Sequence, residues 1–153
     1  MPCEIERKFL VDSDKLPKLP IGKRLIQGYL NPNTPTVRVR TSDNDAYITI
    51  KGGSGGTISR SEFEYEIPYD DALELFRECS GLIITKMRYE IVHAGHTWEL
   101  DIFDGENNGL IVAEIELLSE DEEFFKPAWI TKEVSYERKY TNAALSQIPF
   151  SEW

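Results

Sequence analysis

Polar residues in this chain alternate with apolar ones, and nearly every polar slot of the alternating segments carries a charge whose sign is set segment by segment. Glu4, Glu6 and Lys8 share one parity against Ile5 and Phe9. Arg38 and Arg40 oppose Val37 and Val39, and Lys51 sits with Tyr47 and Thr49 against Ile48 and Ile50. Glu62, Glu64 and Glu66 oppose Phe63, Tyr65 and Ile67; Lys86 and Arg88 oppose Met87 and Tyr89. Glu99 and Asp101 oppose Trp98, Leu100 and Ile102, while Glu114 and Glu116 oppose Ala113, Ile115 and Leu117. A period of two belongs to strands with unlike faces.

A sheet wetted on one side gives the same alternation, and any one segment taken alone reads that way. Seven together do not, because ordinary wet faces mix Thr, Ser, Gln, Lys and Glu. Like charges ranked on one face repel unless opposite charge sits among them. A cluster of carboxylates calls for a divalent cation, and a cluster of Lys and Arg calls for a polyanion. A metal-bound phosphate chain satisfies both. If the charged face lines a closed barrel, the apolar face points outward and needs cover. The helices, the Trp129 region and the aromatic C-terminus (Phe150, Trp153) could supply it, as could a second subunit in a homodimer.

Strands are expected at 3–11, 24–30, 36–42, 46–52, 57–67, 82–93, 96–103 and 110–118, with turn-forming residues between many of them. Gly52-Gly53-Ser54-Gly55-Gly56 reads as a hairpin tip. Helical spacing marks Asp70 to Cys79, ending at Gly81, with short helices near Glu120–Phe125 and Asn142–Gln147. The expected fold class is mainly β (α+β): an eight-stranded antiparallel β-barrel forming a tunnel, with a few flanking helices. At 153 residues the chain reads as one domain, 1–153.

Seventeen Lys and Arg against 27 Asp and Glu leave a net charge of −10. Such a surface disfavours nucleic acid and anionic membrane as partners. No apolar run is long enough for a spanning helix, and the start shows no signal peptide, so the cytoplasm is the expected compartment. Cys3 and Cys79 lack metal or redox spacing and read as reduced thiols.

The Glu4-Ile5-Glu6-Arg7-Lys8 run resembles the first strand of the CYTH superfamily, the triphosphate tunnel metalloenzymes. The resemblance continues in order through Val37-Arg38-Val39-Arg40, Ile50-Lys51, Glu62-Phe63-Glu64-Tyr65-Glu66, Lys86-Met87-Arg88-Tyr89, Trp98-Glu99-Leu100-Asp101, Ala113-Glu114-Ile115-Glu116 and Lys132-Glu133-Val134-Ser135. It implies a tunnel, a triphosphate substrate and Mg²⁺ or Mn²⁺. Glu4, Glu6, Glu114 and Glu116 resemble the main metal carboxylates, with Glu64 and Asp101 as further members. Lys8, Arg38, Arg40, Lys51, Lys86 and Arg88 resemble the phosphate-binding set, with Arg60 and Lys132 as weaker candidates. Ser135 stands where many relatives carry Thr.

The expected activity is metal-dependent hydrolysis of inorganic tripolyphosphate. A second metal, or Glu114 directly, would orient and deprotonate water, and Lys8 or Lys86 would donate a proton to the leaving phosphate. A class IV-type adenylate cyclase and a thiamine triphosphatase stay open as alternatives, as does a non-catalytic polyphosphate-binding module. A lipocalin-like barrel would need an apolar interior. Glu62, Glu66 and Glu99 read equally as salt-bridge partners for the bases, His93 and His96 as solvated turn residues, and Glu120–Glu123 as a solvated helix start.

Overall fold

The charged parity of most segments faces the charged parity of their neighbours, because every pairing is antiparallel and register shifts occur only at Phe9/Val11, Gln27/Tyr29 and Tyr29/Asn31 among the described residues. The computed structural model describes residues 3–53 and 56–153. Its strands are β1 (Cys3–Val11), β2 (Lys23–Asn31), β3 (Thr36–Ser42), β4 (Asp45–Lys51), β5 (Ser59–Glu66), β6 (Ser80–His93), β7 (His96–Phe103), β8 (Ile111–Glu116) and β9 (Ile130–Glu133). The spatial order is β5-β4-β3-β2-β6-β7-β8-β1, and β1 meets β5 again, so eight strands close a barrel. All eight expected strands are present, with ends moved by no more than two residues. Ser54 and Gly55, at the expected hairpin tip, lie outside the described residues.

β9 was not expected. It adds to β1 beyond the reach of β5, so β1 pairs with β5 over residues 3–5 and with β9 at Phe9 and Val11. β8 holds the opposite edge over residues 6–10. Outside the barrel, Arg7 donates to both oxygens of Glu133 at 2.8 and 2.6 Å and clamps β9 in place.

The outward faces are covered in patches. Phe9, Trp98, Leu100, Ala113 and Ile115 pack beneath Leu117, Phe124 and Trp129. Edge-to-face ring contacts tie Trp98 to Phe9 at 5.6 Å, to Phe124 at 5.7 Å and to Trp129 at 5.9 Å. The helix expected at 120–125 does not form; the segment is a turn followed by irregular chain. Glu122 instead accepts from the Leu118 amide and contacts His96 at 2.6 Å, and Phe124 turns inward onto Trp98. A helix would have to give up those contacts. His96 is thereby a clasp for this cover and not a solvated turn residue.

Helix α1 (Tyr69–Leu75) lays Ala72 over Val39 and Ala46. It is shorter than expected, passing through a 3-10 turn at Phe76–Glu78 into β6. Helix α2 (Asn142–Gln147) forms where expected, capped by the Thr141 hydroxyl. Its close approach requires Gly81: φ there is +75°, and a Cβ would strike the Ser146 carbonyl. Phe63 and Tyr65, on the outer face of β5, remain 37% and 57% exposed. Among the described residues no helix is long and apolar enough to cross a membrane.

At one end the inward parity turns apolar. Ile84, Phe103, Leu110 and Val112 form a plug with Leu145 of α2, joined by Leu10, Tyr140 and Phe150. The charged interior therefore sits on a dry, packed base.

Candidate active site

Cross-strand register decides which charges meet. Lys51 lies opposite Glu62, Glu4 opposite Arg60, Lys8 opposite Glu114, and Arg88 opposite Asp101. Among the described residues four like-charged pairs also meet: Glu6 opposite Glu116, Glu99 opposite both Glu114 and Glu90, and Lys23 opposite Arg88. The barrel interior is a cavity of about 640 Å³. Of the expected metal carboxylates, Glu4, Glu6, Glu64, Glu114 and Glu116 line it. Of the expected phosphate ligands, Lys8, Arg38, Arg40, Lys51, Arg60 and Arg88 line it too.

Three expected site residues lie elsewhere. Lys86 and Asp101 point inward but are fully buried between the cavity and the apolar plug, where Lys86 Nζ donates to Asp101 at 2.6 Å. Arg88 grips the same carboxylate through Nε at 2.7 Å and Nη2 at 2.8 Å. With both oxygens engaged, Asp101 holds two bases in place. Lys132, on β9, is largely exposed and pairs with Glu137 at 3.1 Å, outside the cavity lining. Glu66 does not line the cavity either, whereas Glu62 and Glu99 do. Glu99 contacts Arg88 at 3.1 Å.

The acidic side is short of cations. Burial raises the Glu6 carboxyl well above the usual range, and Glu114 adds to the rise by repulsion and a shared hydrogen bond. Burial would also raise Glu114, but Lys8 at 3.7 Å and the Glu6 hydrogen bond hold it well below. The two carboxyls thus share one proton. Burial raises Glu62 and Glu99 as well. Lys51 is pulled down by burial and lifted further by Glu6 and Glu4, ending above its ordinary value. Its Nζ is 2.7 Å from Glu4 Oε1, a charge contact without hydrogen-bond alignment.

The basic side is short of anions. Burial, then repulsion from Arg38 and Arg88, lowers Arg40 to about 9. Gln27 takes its Nε at 2.8 Å, while Arg38 reaches Thr49 at 3.2 Å and Glu64 at 4.0 Å. Burial lowers Lys86 to about 7, against the lift from Asp101. Lys86 and Arg88 overcome burial to hold Asp101 at about 2.

The C-terminal segment completes the site, and sequence reading missed most of it. Lys8 donates its Nζ to the Tyr140 carbonyl at 3.0 Å and its backbone amide to Ser135 Oγ at 3.0 Å. Lys86 Nζ donates to Asn142 Oδ1 at 3.1 Å. Arg138 and Thr141 line the cavity beside them. A main-chain acceptor leaves no mark in sequence, although the basic run Arg138-Lys139 offered a signal.

The CYTH domain family model matches residues 3–149. The chain belongs to the CYTH family. An inorganic triphosphatase of Acetivibrio thermocellus is 43% identical over 100% of this chain and 99% of its own. An inorganic triphosphatase of Nitrosomonas europaea is 36% identical over 94% of this chain and 96% of its own. A crystal structure of an inorganic triphosphatase superposes with a TM-score of 0.68 at 32% identity, covering 95% of each chain.

Members of this family of tunnel metalloenzymes use a metal, and the donor set fits one. It is all carboxylate oxygen, as a hard divalent cation requires. Among the described residues no three acidic, His or Cys side chains already stand as a coordination shell. Glu6 and Glu116 face each other on β1 and β8 with Glu114 beside them on the cavity lining, so a cation there would relieve crowded carboxyls.

Proposed function

We propose that this CYTH chain hydrolyses inorganic tripolyphosphate in its charged cavity. One observation carries the reading: acid-rich and base-rich walls from separate strands face each other across one enclosed space, each short of its counterion. A metal-bound phosphate chain supplies both.

Glu4, Glu6, Glu114 and Glu116 would hold the cation, Mg²⁺ or Mn²⁺, which when bound neutralises phosphate oxygens and acidifies water. Glu64, 4.0 Å from Arg38 and more open to solvent, serves that base. Arg38, Arg40 and Arg88 present guanidinium forks to phosphate oxygens, and Lys8, Lys51 and Arg60 add charge along the chain. The Glu6–Glu114 pair titrates as a unit. Glu114, held against burial well below the usual carboxyl range, chiefly by Lys8, is the carboxylate placed to orient water and accept its proton. Lys8, facing the cavity, is the better placed proton donor to the leaving phosphate. Lys86, buried beneath the cavity with Asp101, steadies Arg88 and the base of the site. An Arg is too basic to donate.

The test is phosphate release from tripolyphosphate with Mg²⁺ or Mn²⁺, beside ATP and thiamine triphosphate. Glu114→Gln should cut kcat by on the order of 10² or more while tripolyphosphate still binds. Unchanged turnover in that variant refutes the role of Glu114, and no phosphate release by the parent chain refutes the function.

A further inference from the structure

Gln27 is fully buried in the middle of β2, where a carboxamide is seldom found. Register fixes its surroundings: Arg40 of β3 lies opposite on one side and Ile84 of β6 on the other. It therefore stands at the seam between the apolar plug, which includes Ile84, and the charged cavity, which Arg40 lines. Its Oε1 accepts from Arg40 Nε at 2.8 Å. A guanidinium only donates, so the oxygen must face it, and the amide nitrogen is left buried without a partner among the described residues. A buried unpaired amide destabilises a fold, and an aliphatic side chain of similar size would not. Packing alone would favour an aliphatic residue at this position.

The three cavity arginines on β3 and β6 are held in different ways. Arg88 gives Nε and Nη2 to Asp101 and Nη1 to Glu99, so carboxylates offset its charge. Arg38 keeps a buried Nε unpaired and reaches Thr49 through Nη2. Arg40 makes its one side-chain hydrogen bond among the described residues through Nε, and to a neutral acceptor. With Nε engaged, the fork left open is the Nη1–Nη2 end. We propose that Gln27 is a positioning residue for the triphosphate site: its carboxamide oxygen holds Arg40 by Nε so that the Nη1–Nη2 end meets the phosphate chain with its charge intact. The proposal rests on the charged cavity being the triphosphate site. A carboxylate in the same place would hold the same nitrogen but cancel the charge that attracts the anion. An aliphatic side chain would leave the charge but release the guanidinium, which Arg38 and Arg88 repel.

The test measures kcat, KM and melting temperature of the full chain on tripolyphosphate with saturating Mg²⁺ or Mn²⁺. Calorimetry in the Glu114→Gln background gives Kd for the same anion. Gln27→Met, of similar volume, should raise KM and Kd about tenfold, the scale of one misdirected charge-assisted hydrogen bond, and keep kcat within about threefold. It should melt within about 3 °C of the parent or above it, since it also removes the unpaired amide. Gln27→Glu should raise KM and Kd at least as much, although the contact with Nε survives. On an Arg40→Met background, Gln27→Met should add less than about twofold. KM and Kd within about twofold of the parent in Gln27→Met overturn the proposal. So does a loss confined to kcat and melting temperature, or a full loss that persists without Arg40. A parent chain that binds tripolyphosphate and releases no phosphate refutes the main function, and the Kd values still decide the role of Gln27. A parent chain that does neither refutes both.

Discussion

Replacing Asp101 with Asn removes one negative charge from a place that water does not reach. Its carboxylate takes three donors, Lys86 at 2.6 Å and two Arg88 nitrogens at 2.7 and 2.8 Å, and both it and Lys86 are fully buried. Asn keeps one acceptor oxygen and turns an amide toward two cations. Breaking a buried pair from one side costs roughly 3–5 kcal/mol. At about 2–4 °C per kcal/mol for a chain this long, the melting temperature should fall by roughly 6–20 °C. Lys86→Met leaves the Arg88 fork on Asp101 and should cost under about 2 kcal/mol.

The pH dependence gives a sharper check. Lys86 titrates at about 7 when folded, below the ordinary lysine value near 10.4. Between those values the unfolded chain holds more protons on Lys86, so this group makes stability rise with pH across that window. Without Asp101 the Lys86 value drops further, and the mutant's deficit is largest at acid pH and narrows as pH rises through about 7. Thermal or urea unfolding of both variants from pH 5 to 9 measures this. An Asp101→Asn chain melting within about 3 °C of the parent at pH 6, or a deficit that widens with pH, refutes the buried triad.

Two further outcomes are expected. Metal loading should displace the proton shared by Glu6 and Glu114, so calorimetric binding enthalpies at pH 6 should vary with buffer ionisation enthalpy, and Glu6→Gln should flatten that slope. A flat slope in the parent chain refutes the shared proton. Glu133→Ala breaks a bidentate, three-quarters covered contact with Arg7 and should cost about 1–2 kcal/mol in urea unfolding. A change under about 0.3 kcal/mol would leave β9 held by its backbone pairing alone.

Parity made the barrel legible, because each charged residue fixed which way its strand faced. The same parity held more than was read from it. Leu10, Ile84, Phe103 and Val112 each lie two positions from a charged residue, namely Lys8, Lys86, Asp101 and Glu114. Continuing the alternation would have located the apolar plug. β9 gave little signal, being four residues with Ile130 its one aliphatic member. The acidic run at 120–123 looked like a helix start, but rings decide that segment: Phe124 has Trp98 and Phe9 to pack against. The burial of Lys86 and Asp101 could not be read from pattern, since a residue lining the cavity and one buried beneath its floor share one parity. The C-terminal acceptors at Tyr140 and Asn142 depend on contacts across more than fifty residues.

The first strand meets its partners at Ser59–Ser61, Val112–Glu116 and Ile130–Glu133, all far along the chain. Its nine residues wait for almost everything else before they can be paired. Such non-local closure makes for slow folding. An emerging chain would carry Glu4, Glu6 and Lys8 unmated through most of its synthesis, and the enclosure that brings them together would be among the last features to form.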